Sequence, residues 1–263
     1  MRYNQQFNMC TVSYVPAKAG FILTSNRDEH ISRGIARYHD LYQMDDTILA
    51  YPVDAKAGGT WFICNGQGDT GVLLNGAFEK HLPDPPYRKS RGAVLIEIFQ
   101  HSSPVDAVRK YDFTGIENCT IILWQRGLLY EVRWDGKELF MQNHNPGVAH
   151  IWSSATLYSS QMIKERHGWF YHWLKLHSHP SQDEILQFHN CTQSQNNEYG
   201  LRISRENQIA TSSITSIKVD NEKAKCKYRD LIQQVESILE YQLIQTPNPL
   251  IQNNIASESV SKN

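Results

Sequence analysis

Short runs of β-branched and aromatic residues, broken at close intervals by turn residues, set the pattern of this chain. The first run is Met9-Cys10-Thr11-Val12-Ser13-Tyr14-Val15 and the second Phe21-Ile22-Leu23-Thr24-Ser25-Asn26-Arg27-Asp28-Glu29. Pro16-Ala17-Lys18-Ala19-Gly20 divides them, so the pair reads as a hairpin. A hairpin returns the end of its second strand beside the start of its first, which puts Arg27 and Asp28 close to Cys10. Residues 31–50 are mixed and polar and read as a loop with one strand near 47–50. Gly58-Gly59 allows a close backbone approach before a strand over 60–64. Asn65-Gly66 is a strong hairpin signal, joining that strand to 70–74 and leaving Asn75 at a strand end.

Pro83, Pro85 and Pro86 mark an exposed loop. Ser90-Arg91-Gly92 opens an amphipathic helix with Val94, Leu95, Ile98 and Phe99 on its apolar face, and Ser103-Pro104 with Asp106 starts a second helix over 104–111. Residues 119–125, 128–134 and 139–142 form a meander turned at Arg126-Gly127 and Asp135-Gly136, followed by a strand over 148–153. A long helix is predicted over 156–179. Trp169, Phe170, Tyr171 and Trp173 make it apolar all round, as in a helix buried between elements. A short helix over 183–188, strands over 203–205, 208–220 and 223–231, and a helix over 232–243 complete the pattern. Strand runs interleaved with helix pairs fit a layered α+β sandwich. The expected division is a removable or extending segment at 1–9, one domain over 10–244, and a polar tail over 245–263.

Composition narrows the classes. The hydrophobic fraction is 40% and aromatics are 11%, values of a globular domain. The net charge of −1 and pI near 6.8 offer no footprint for nucleic acid. Five cysteines, at 10, 64, 119, 191 and 226, lack any Cys-x-x-Cys pair, so reduced thiols and a cytoplasmic location are expected. No run approaches the ~20 apolar residues of a membrane span, and no membrane insertion is expected. His167, His172 and His177 fan around a helix at 3.6 residues per turn, so no metal is expected, and no cofactor.

The candidate chemistry centres on Cys10. If translation starts at Met9, or the chain is cut after it, Cys10 carries a free α-amine, with an ordinary pKa of about 7.7–8.0, able to take the thiol proton without a histidine; the alternative is a buried strand cysteine. Arg27 and Asp28 either tune that thiol or form an ion pair capping the hairpin; Glu29 reads as structural. Asn75 is either a side-chain N–H donor to an oxyanion or a turn residue before Gly76. Ser154 or Thr156 reads as a helix cap. Thr211-Ser212-Ser213 either lines a pocket or faces solvent from a strand.

Taken in order, Met9-Cys10, Ser25-Asn26-Arg27-Asp28-Glu29, Gly58-Gly59-Thr60-Trp61, Leu73-Leu74-Asn75-Gly76-Ala77-Phe78, Ser90-Arg91-Gly92 and Thr211-Ser212-Ser213 resemble the NRDE family of transport and Golgi organisation protein two and its bacterial relatives. Family members generally begin Met-Cys, whereas here residues 1–8 precede Met9; where relatives often carry an asparagine, this chain reads Trp152-Ser153-Ser154-Ala155. The resemblance implies a four-layer αββα sandwich of the N-terminal-nucleophile hydrolase type. It further implies hydrolysis of a C–N amide or thioester in a small-molecule amide or acyl substrate, with Cys10, Arg27, Asp28 and Asn75 as catalytic residues. Asn26, Trp61 and Ser212 are the expected substrate contacts. An alternative, drawn from eukaryotic relatives, is a non-catalytic carrier for haem or a lipid-like ligand.

Overall fold

The computed structural model describes residues 9–44, 47–156, 158–206 and 208–244. The expected segment ahead of Met9 and the expected tail from 245 lie outside the described residues. The first hairpin forms as β1 (Met9–Ala17) and β2 (Gly20–His30), with Cys10 opposite Arg27 and Met9 opposite Asp28. Gly20 makes the turn possible. At φ +147° it lies against the Val219 carbonyl, where a Cβ would sit 1.9 Å from that oxygen.

Two antiparallel sheets follow from the strand runs. The second sheet is a continuous meander of β3 (Arg37–Met44), β4 (Thr47–Val53), β5 (Phe62–Asn65), β6 (Thr70–Asn75), β7 (Cys119–Gln125), β8 (Leu128–Trp134) and β9 (Leu139–His144). The first sheet gathers distant strands around the hairpin. Its order is β10 (His150–Ser153), β1, β2, β11 (Ile209–Val219), β12 (Lys223–Asp230) and β13 (Val235–Gln242). The strands β1 and β2 lie centrally, with sheet neighbours on both sides and packed layers above and below. This explains why nearly all of β2 is buried and why it shows no polar–apolar alternation.

Three separate cores show four layers. Between the sheets lie Val12, Phe21, Leu23, Phe62, Val72, Ile122 and Ile217. Helices α1 (Arg91–Phe99) and α2 (Pro104–Lys110) cover the outer face of the second sheet through Val94, Leu95, Ile98, Phe99 and Val105. Helices α3 (Ser160–Leu176) and α4 (Gln182–Cys191) cover the first sheet, where Phe170, Ile185 and Phe188 meet Val15, Ile22 and Ile151. The four-layer αββα sandwich that the family resemblance implies is present. A buried charge ties the sheets at one edge: Glu131 of β8 accepts from Trp152 Nε1 of β10 at 3.0 Å and pairs with His144 and Arg133. No helix among the described residues is long and apolar enough to cross a membrane.

Several expectations are corrected. Residues 37–44, read as loop, form β3, whose Tyr42 stacks on Tyr51 at 4.3 Å. The helix expected over 232–243 is instead a turn and β13, because pairing with β12 supplies its backbone bonds and every second side chain packs. Helix α3 starts at Ser160 and is not apolar all round: only Arg166 and Phe170 are fully buried, and Tyr171 is 43% exposed. Its N-cap is Ser159; Ser154 and Thr156 serve elsewhere. Residues 203–205 make a single bridge, Ser204 to Ala210, not a strand.

Candidate active site

Where β1 begins and β2, β4 and β6 end beside the start of α1, the sheets part and leave a cavity of about 580 Å³. One wall is backbone on backbone: Gly59 packs against Gly92, and a Cβ on either would lie 2.7 Å from the other segment. This is the close approach the Gly-Gly pair signalled. Cys10, Arg27, Asp28, Trp61 and Asn75, all expected at the site, line the cavity.

Cys10 is 6% exposed. Burial, then the Asp28 carboxylate, push its thiol up to about 12, against a smaller downward pull from Arg27. With the chain continuous through Met9, Cys10 is therefore a neutral thiol near pH 7, contrary to the expectation that its neighbours make it reactive.

Arg27 does not pair with Asp28. Its guanidinium binds Asp54 at 2.5 Å and Glu29 at 3.3 Å, and its Cζ stacks 4.5 Å from the Trp61 ring centre. Arg33 closes the network on Asp54 at 3.1 Å. Asp54 sits in an Asx turn after β4, accepting from the Lys56 and Ala57 N–H groups. Burial alone would raise its carboxyl, but the Ala57 N–H and both guanidiniums hold it below the ordinary range. Asp54 and Arg33 were not picked out in the sequence. Asp54-Ala55-Lys56-Ala57 before Gly58-Gly59 carried an Asx-turn signal that could have found the first.

Asp28 is fully buried at the end of β2. Thr211 Oγ1 donates to its Oδ1 at 2.5 Å and Tyr158 to its Oδ2 at 2.8 Å. Burial raises its pKa, opposed first by the nearby Arg166. Arg166 lies 3.5 Å over the Tyr158 ring and binds the Thr11 hydroxyl and the Gly200 carbonyl. Thr211 is thus buried, not solvent-facing. Ser212 is held by Arg27, accepting from Nη1 at 3.2 Å and donating to the Arg27 carbonyl at 3.0 Å; it supports the cavity wall without lining it.

Asn26 is not at the cavity. One residue from Arg27 on a strand, it faces the helical layer. There it donates to the carbonyls of His189 and Leu201 and joins His189 Nδ1 at 2.6 Å. Ser13 Oγ lies 2.7 Å from His189 Nε2. Burial lowers His189 to about 3, so the ring is neutral, donating to Asn26 and accepting from Ser13. This Ser–His–Asn set is buried under α4, away from the Cys10 cavity.

Asn75 ends β6 without left-handed backbone; Gly76, at φ +78°, takes the turn. Ser154 links it to the thiol strand. The Ser154 N–H donates to the Cys10 carbonyl at 3.0 Å, and its hydroxyl donates to the Asn75 carbonyl at 2.6 Å and meets Thr156 Oγ1 at 2.9 Å. The Ser154 position therefore braces two cavity strands.

The sequence signature of the Transport and Golgi organisation 2 family matches residues 9–248. Among curated proteins none matches the chain. Two solved structures of conjugated bile acid hydrolase from Clostridium perfringens align with it at 10% identity. The first has a TM-score of 0.54 over 92% of this chain and 100% of the other; the second has a TM-score of 0.49 over 91% and 99%. The fold likeness is read from the first alone, and it identifies the N-terminal-nucleophile hydrolase fold.

Proposed function

The chain belongs to the Transport and Golgi organisation 2 family, and from that premise we propose that it is a hydrolase with Cys10 as its N-terminal nucleophile. It cleaves the C–N amide bond (or a thioester) of a small molecule through an acyl-enzyme. The observation that carries this reading is the place of Cys10: among the described cysteines it alone lines the cavity, beside Asp28, Arg27 and Asn75. The fold is that of a hydrolase of conjugated bile acids, which supports hydrolysis of a small molecule without naming one.

Cleavage of the Met9–Cys10 peptide bond is the activating step. It leaves an α-amine next to a thiol that is otherwise held neutral. The neutral amine takes the thiol proton, and the thiolate sulfur attacks the substrate carbonyl carbon while the C=O pair moves onto oxygen. The Asn75 side-chain N–H and a backbone N–H stabilise that oxyanion. Collapse breaks the C–N bond, and the leaving nitrogen takes the proton from the ammonium. Water then attacks the thioester, releasing the acid and restoring the thiol. Asp28, opposite Met9 in register, sets the charge beside the new amine, with Thr211 and Tyr158 fixing its carboxylate.

Carriage of haem or a lipid-like ligand calls for an apolar wall. Here the wall carries Arg27, Arg33, Arg88, Lys89 and Arg91 against Asp28, Glu29, Asp54 and Glu117, which favours a polar substrate. In a panel of amide and thioester substrates, Cys10→Ala abolishes turnover and the acyl adduct seen by intact mass. Hydrolysis that survives Cys10→Ala refutes the proposal.

A further inference from the structure

The inner face of the sheet bearing Cys10 is polar where an inter-sheet face is ordinarily apolar. Register aligns Cys10, Arg27 and Ser213 in one cross-strand row and Val12, Ser25, Thr215 and Tyr228 in the next. Thr215 points between the sheets, since Ser216 turns to Gln182 of α4 while Ile217 lies in the inter-sheet core. Ser25 lies beside the Cys10 thiol. Trp61, just ahead of β5, and His39 of β3 face this patch, with ring centres 6.5 and 5.8 Å from that of Tyr228.

All these side chains are more than nine-tenths buried. Yet Trp61 Nε1, both ring nitrogens of His39 and Thr215 Oγ1 have no hydrogen-bond partner among the described residues, and Ser213 Oγ stands beside the Tyr228 hydroxyl outside bonding geometry. Buried polar groups in folded proteins find partners, and ordered water is the usual one when protein atoms do not serve. Several orphans in one place point to a shared occupant.

We propose that His39, Trp61, Ser213 and Thr215, gathered around Tyr228, form a hydration site that binds ordered water directly behind the Cys10–Arg27 row. The donor and acceptor inventory selects water. Burial keeps His39 neutral, giving one donor and one acceptor; the two hydroxyls are both, and the indole donates. A partner that donates and accepts at once satisfies the set. An anion would find the nearest guanidinium, Arg27, already engaged by Glu29, Asp54 and Ser212. Arg27 and Trp61 also line the cavity, so the site lies directly behind that wall. The site stands whether or not Cys10 is a nucleophile.

Thr215→Val and Ser213→Ala in the full chain give the test, because the sign of the response separates wet from dry. Removing a hydroxyl that holds water leaves that water short of a partner, and each variant lowers the Tm by about 2–4 °C. Removing a hydroxyl from a dry, unpaired position raises it. A Tm at or above the parent's in both variants overturns the proposal. So does a crystal structure that resolves water elsewhere but shows no solvent peak within about 3.2 Å of His39, Trp61 or Thr215 polar atoms.

Discussion

Asn26→Ala separates a packing role from a site role at the residue most easily mistaken for a substrate contact. The change removes three buried hydrogen bonds: two donated to the carbonyls of His189 and Leu201, and one accepted from His189 Nδ1. Each partner is left inside the protein, at about 1–3 kcal/mol per unsatisfied group. The sum spans ~3–9 kcal/mol, and partial relaxation brings such cases toward ~4 kcal/mol, the upper range of single substitutions. For a chain of this size 1 kcal/mol moves Tm by about 2–4 °C, so a fall of about 10 °C is expected in thermal unfolding followed by circular dichroism. His189→Ala removes the same Asn26–His189 contact, so the double variant loses about 1 kcal/mol less than the two single losses added. A fall of less than about 2 °C in Asn26→Ala, or strict additivity, refutes the placement of Asn26 under α4.

Further outcomes follow from the buried charges and thiols. Asp54→Ala strips Arg27 and Arg33 of the nearer of the two carboxylates they share, leaving Glu29, and destabilises by about 3 kcal/mol in urea unfolding, as loss of one member of a buried pair does; an unchanged midpoint contradicts that network. Burial alone would raise Glu131, but Arg133 and the bonds from His144 and Trp152 hold it below the ordinary range. Its contribution is therefore full above the unfolded value of about 4.3 and is lost as pH falls through the lower folded value. Glu131→Gln flattens the Tm–pH curve below about pH 4.5, and an unaltered slope counts against the pair. In chain retaining residues 1–9, iodoacetamide at pH 8 labels exposed Cys191 before Cys10, whose thiolate fraction is roughly one in 10⁴. Labelling of Cys10 at the rate of Cys191 contradicts its burial.

The sequence made the strands legible wherever a turn signal bounded a β-rich run. Arg126-Gly127 and Asp135-Gly136 mark the meander, and both Arg126 and Gly136 adopt positive φ there. The segment over 232–243 was misleading because Ile238, Leu239 and Glu240 suit a helix locally, and only the long-range partner β12 decides. At the site, the order of the pieces that resemble the family pointed to the right end of the sandwich. Individual roles depended on which face a residue takes. Once Cys10 opposes Arg27, strand parity sends Asn26 to the helical side, an inference that needed the register. Arg166 and Tyr158 reach the site from remote segments, and nothing in their local sequence announced the partners they meet.

The most direct test of the account is the intact mass of untagged protein made from its native reading frame. A mass that begins at Cys10 is the predicted result, since only that species carries the amine that takes the thiol proton. A mass that retains Met1 or Met9 in protein still able to hydrolyse its substrate contradicts the N-terminal nucleophile.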